Sequence, residues 1–109
     1  LADLGYCAMP WHTAPDEYGG ILGLDRAVLG IPAERDFLAH YYAHAVPTAP
    51  LLRFHLVFAL FRFAVIFVGI ADRVRAGTAA AANAAEVAPL ARRFAVRARE
   101  AMEGQEKLA

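Results

Sequence analysis

Four histidines, one cysteine and a lone arginine inside an apolar run are the residues whose chemistry this sequence puts most in question. His40 and His44 stand four apart, a spacing that lets two imidazoles chelate a metal once a third ligand converges. No third ligand is evident, and no acidic residue follows His40 as the metalloprotease helix pattern requires. The pair therefore reads as two histidines on a partly exposed helix face. His12 and His55 are isolated and read as hydrogen-bonded structural residues. Cys7, followed by Ala8, Met9 and Pro10, carries no nucleophile signature and is expected to pack as a small side chain. Gly19, Gly20 and Gly23 lack both the lysine and the spacing of a phosphate-cradling loop. No metal ligand set and no catalytic residue is assigned within the chain.

Arg62 is the most informative polar residue. A guanidinium in a helix otherwise lined with Phe, Leu, Ile and Val must find a partner or reach water. It could pair with a carboxylate such as Asp3, Asp36 or Asp72, or present a cation to an anionic substrate group. Its neighbours Phe61 and Phe63 favour the first reading. Arg92, Arg93, Arg97 and Arg99 form a basic helix face, whose ordinary meaning is solvation.

The elements that must position these residues are helical. From Leu51 to Ala76 the chain is apolar nearly all round, and Arg73, Arg75 and Gly77 form a stop signal. A bilayer-spanning helix needs about 20 mainly apolar residues, but Arg53, His55 and Arg62 interrupt this one, which disfavours a membrane span. Asp3 is expected to cap a short helix ending before Pro10. Residues 11–31 are rich in Pro and Gly and read as a long loop, a candidate lid or wall. Pro32, with Glu34 and Asp36 in the first turn, opens a second helix expected to reach Ala45, and Pro47 and Pro50 separate it from the next. After an alanine-rich joint at 78–85, Pro89 leads a final helix with the stripe Val87, Leu90, Ala91, Phe94, Ala98 and Met102, and the tail 104–109 is polar. The fold class is all-α, about four helices around the long one.

Composition bounds the function. At 109 residues and 59% hydrophobic, the chain holds one core with apolar faces to spare. Basic and acidic residues number 11 each, which leaves no footprint for nucleic acid. One cysteine excludes an internal disulfide and a cysteine zinc site, which fits the cytoplasm. The chain starts at Leu1 rather than Met and opens without a signal-like run, so it is expected to be an excised piece.

Leu1-Ala2-Asp3-Leu4-Gly5-Tyr6 resembles the segment just after the metal-binding aspartate in the aminoglycoside phosphotransferase and choline kinase superfamily. Gly30-Ile31-Pro32, the run Phe58 to Ile66, Gly69-Ile70 and Arg73 are similar to a bacterial branch akin to the kinase-like domains fused to acyl-CoA dehydrogenases. Val68 departs from the glutamine expected before Gly-Ile. The resemblance implies that residues 1–109 form a C-terminal helical subdomain of a protein-kinase-like fold, lying after the His-Gly-Asp loop and metal-binding aspartate. It implies a parent that uses ATP and Mg²⁺ to phosphorylate a small-molecule hydroxyl, a hydroxyacyl group suiting the apolar walls. An aminoglycoside would want a more acidic pocket than Asp16, Glu17 and Asp25, diluted by Arg26, provide. Asp3 would support the catalytic loop, and Tyr6, Met9, Trp11 and Arg62 would face the acceptor. The implied partners are the absent N-lobe and catalytic loop; the chain alone is expected to be inactive. The rival is a non-enzymatic helical interaction module, membrane-associated through the central helix.

Overall fold

The computed structural model describes residues 1–46 and 49–103; Pro47 and the polar tail 104–109 lie outside the described residues. Among these, α1 (Ala2–Ala8) runs into a 3-10 turn (Met9–His12), followed by α2 (Arg26–Leu29), α3 (Glu34–His44), α4 (Arg53–Ala76), α5 (Ala84–Val87) and α6 (Leu90–Ala101). The all-α class and the long central helix hold, and α2 and α5 are single turns beyond the four helices expected.

α4 begins where the Leu52 amide donates to His55 Nδ1 at 2.9 Å and ends at Gly77, whose φ of 73° lets its amide close on Arg73 and Val74. α6 returns antiparallel to it, and the Arg53 guanidinium donates to the Ala101 carbonyl at the far end of α6. Between them lies the main core: Leu56, Ala59, Leu60, Ala64 and Phe67 against Leu90, Phe94, Ala98 and Ala101. The alanines let the backbones approach, and Phe67 and Phe94, ring centroids 5.2 Å apart, supply the largest side chains of the contact. Met102, expected on the α6 stripe, is exposed because the helix ends at Ala101. A second, smaller core joins Leu4, Leu38 and Leu51, with Phe37 and Tyr42 against it, and holds α3.

Two boundaries and one burial differ from expectation. Asp3 is not the cap: Leu1 holds that position and Asp3 falls in the first turn, where its charge meets the helix dipole without a capping bond. α3 starts at Glu34, two residues after Pro32. Cys7 is exposed, because α1 turns its Leu4, Gly5 and Ala8 face inward.

α4 is long and apolar enough to cross a membrane by length and composition, with a mean hydropathy of 2.2 over its most apolar window, of which 28% is buried. Phe54, Phe58, Phe61, Val65 and Val68 form an exposed row along it. Their spacing of four and three residues keeps them on one face, turned away from α6.

Candidate functional site

The seat of α1 on α4 decides the site. A Cβ on Gly5 would lie 2.6 Å from the His55 carbonyl oxygen, so only glycine lets α1 lie this close. Asp3 and Tyr6, three apart on α1, then stand beside Phe58, Arg62 and Ile66, spaced by four on α4, and together they line a groove of about 380 Å³. No hydrogen bond or ion pair joins the side chains of Asp3 or Arg62 to another described residue. A carboxylate and a guanidinium thus face one groove, both exposed and neither neutralised by a contact.

Arg62 is therefore not an interior residue locked to Asp3, Asp36 or Asp72. Neighbours in sequence sit about 100° apart on a helix. The phenylalanines on either side do not bury it, since the buried stripe of α4 runs through Leu60, Ala64 and Phe67. Asp72 instead pairs with Arg75 on the same helix.

Phe63 joins the groove to a smaller cavity of about 110 Å³ lined by Tyr6, Met9, Thr13, Tyr18 and Phe94. Met9 is 6% exposed and belongs to the main core, touching this cavity from below. Trp11 stands apart from these residues. Its Nε1 donates to the Pro32 carbonyl at 3.0 Å and its ring lies 5.0 Å from Phe37, so it ties the loop to α3. His12 pairs with Glu34 in the same joint. Of the expected acceptor-side residues, Tyr6 and Arg62 share the groove with Asp3, Met9 lies next to it, and Trp11 is elsewhere.

The long loop is ordered by a charge cluster that the sequence did not disclose. Glu17, only 2% exposed, accepts from the Ala14 amide at 2.7 Å and from Arg97 Nε at 2.9 Å, and pairs with Arg93 Nε at 2.9 Å. Asp16 receives both terminal nitrogens of Arg93, at 2.9 and 3.1 Å. Burial by itself would raise the Glu17 pKa, but the Ala14 amide and the two arginines outweigh it and hold the carboxyl below its ordinary value. Asp16 is lowered chiefly by its hydrogen bonds from Arg93. The basic face of α6 is thus half occupied by the loop. Latched this way, the loop forces Tyr18 to a φ of 67°, and its ring comes to rest 6.1 Å from Phe63 and 5.5 Å from Phe67. The run Tyr18-Gly19-Gly20 was a local signal of a tight reversal.

His40 and His44 lie with ring centroids 4.3 Å apart on an exposed face, and no group of three metal-ligating side chains occurs among the described residues. The donor set here does not fit a Mg²⁺–ATP site, which needs carboxylates and phosphate-binding groups converging on one point. No catalytic step is assigned to these residues.

An all-α arrangement built on one long central helix, with a short helix laid across its start, is the helical part of a kinase-like fold. The comparison with solved structures gives this substance. Over 92% of its length the chain matches a Ralstonia eutropha protein described as a candidate aminoglycoside phosphotransferase, with 40% sequence identity and a TM-score of 0.81. The match takes up 31% of that protein, so the chain spans about a third of its length. Identity at that level carries the likeness beyond fold and supports the aminoglycoside phosphotransferase superfamily, without singling out the branch fused to acyl-CoA dehydrogenases. No family model matches the chain, and no curated relative does.

Proposed function

We propose that residues 1–109 are the acceptor-side helical subdomain of a cytoplasmic phosphotransferase that moves the γ-phosphate of ATP, with Mg²⁺, to a hydroxyl of a small molecule. The observation that carries this reading is the 40% identical match across nearly the whole chain to part of a candidate aminoglycoside phosphotransferase. The groove fits the same role. Arg62 offers an uncompensated cation to an anionic acceptor, and Tyr6, Phe58 and Ile66 offer apolar walls that suit a hydroxyacyl group. Asp3, with no partner among the described residues, has its carboxylate free to receive backbone amides of a catalytic loop supplied by other sequence.

The test has two arms. The reading frame ahead of Leu1 is expected to encode a His-Gly-Asp loop and a metal-binding aspartate, and the joined protein to phosphorylate short hydroxy acids in the presence of Mg²⁺–ATP. The 109-residue chain alone is expected to show no heat of Mg²⁺–ATP binding in calorimetry. A parent frame without that loop, or micromolar ATP binding by the chain alone, overturns the proposal.

A second reading, a non-enzymatic module held to a membrane by α4, draws on the exposed row from Phe54 to Val68. Co-flotation of the chain with neutral phosphatidylcholine vesicles would favour it over the phosphotransferase role.

A further inference from the structure

The far half of α4 carries a second pocket, independent of the phosphotransferase reading. Gly77 reverses the chain so that residues 79–84 pass back along the last turns of α4. Ala79, Ala80 and Ala81 are too short to reach Ile66 and Ile70 across the gap, and Tyr18, held by the Glu17 latch, closes one side. What remains is a pocket of about 310 Å³, walled by Phe63, Ile66, Phe67, Ile70 and Val87. That volume lies at the small end of the range for ligand sites, about 300–1,000 Å³.

Two polar side chains line this pocket beside the Tyr18 ring. Arg73 is the only charged residue among the lining, and its guanidinium turns back over Gly69, with one terminal nitrogen 3.4 Å from where a Cβ would stand. No hydrogen bond or ion pair joins it to another described residue, and its neighbour Asp72 is taken by Arg75. Asn83, at the start of α5, likewise makes no side-chain hydrogen bond to a described residue. An apolar floor, one unopposed guanidinium and one open amide form a site of mixed character, apolar within and anion-accepting at the edge.

We propose that this pocket binds an amphipathic carboxylate, its hydrocarbon chain along Ile66, Phe67 and Ile70 and its carboxylate on Arg73 and Asn83. A cationic amphiphile would set like charges together, and a neutral alcohol would leave Arg73 unpaired.

The experiment compares decanoate, decanol and decyltrimethylammonium by titration calorimetry against the 109-residue chain, below their micelle concentrations. Circular dichroism confirms the helical fold of each variant. Decanoate is expected to bind about three- to fivefold more tightly than decanol, a margin set by one exposed charge pair. Octanoate is expected to be weaker than decanoate by roughly tenfold, since two methylenes leave the apolar floor. Arg73→Gln should erase the preference for decanoate over decanol while leaving decanol binding in place. Ala80→Trp, which fills the pocket from an exposed position, should abolish binding of both. Phe61→Ser, on the open row of α4, should change neither. Retention of the decanoate preference in Arg73→Gln, or loss of binding in Phe61→Ser but not in Ala80→Trp, overturns the assignment and places the amphiphile on the open row.

Discussion

Replacing Glu17 with Gln tests whether the loop latch holds the fold together. The carboxylate is buried, with its side chain 3% exposed, and receives two guanidinium groups and a backbone amide. Glutamine keeps the shape but puts an N–H group where one guanidinium must donate. Stranding one half of a buried ion pair costs about 3–5 kcal/mol. Here the arginines retain solvent, with side chains 44% and 22% exposed, which brings the expected cost down to about 2–3 kcal/mol. For a chain of this size that corresponds to a fall in Tm of about 8–12 °C. Thermal melts followed by far-UV circular dichroism at neutral pH read it directly.

The pH dependence supplies a second check with a definite sign. Because the folded-state pKa of Glu17 lies below its ordinary value of 4.5, its contribution is fully present above that value and is lost as the pH falls through the folded pKa. The wild-type chain and Glu17→Gln should therefore converge in stability on acidification. A Tm difference under about 2 °C at neutral pH, or one that persists undiminished into acid, refutes the latch.

Gly5→Ala should destabilise by about 1 kcal/mol, because overpacking against the His55 carbonyl costs about 1–3 kcal/mol while the gain in helix propensity returns only about 1; a raised midpoint in a urea titration would show that α1 has room to shift. Phe94→Ala, which removes the ring that both Phe63 and Phe67 pack against, should cost about 3–5 kcal/mol and is checked in the same titration. Arg62→Met should leave stability within about 0.5 kcal/mol, since the guanidinium is exposed and unpaired among the described residues. In the joined enzyme the same change should raise the acceptor KM, and a lower Tm instead would restore a structural role for Arg62.

What was legible in the sequence follows from the range of the information. α4 and α6 could be read because apolar periodicity and the glycine and proline punctuation are local signals. α2 and α5 escaped because four residues are too few to show a period, and each forms only because its neighbours hold it. The Glu17–Arg97 pair links residues 80 positions apart, and nothing local marks which arginine on a basic face will be claimed. Tyr18 shows the same limit, since a non-glycine residue at positive φ is imposed by packing rather than by propensity. Asp3, Tyr6 and Arg62 could be named together only through resemblance, because their convergence depends on the close seat of Gly5 on α4. Trp11 looked like a partner to them from its place in the chain, but its indole hydrogen bond to Pro32 and its ring contact with Phe37 hold it against α3.

The separation of the core into two clusters has an optical consequence. α3 buries one residue fully, Leu38, with Phe37 and Tyr42 half-buried beside it, and its ties to the body include the Trp11–Phe37 ring contact and the His12–Glu34 pair, with the indole bond to Pro32 just ahead of it. Segments with so few buried contacts open at lower free energy than the main core. Trp11 is the one tryptophan of the sequence and sits on that seam. Its emission should therefore move to the red as α3 lifts away, at denaturant concentrations where α4 and α6 still give full helical ellipticity, so the chain carries its own fluorescent gauge of sub-global opening.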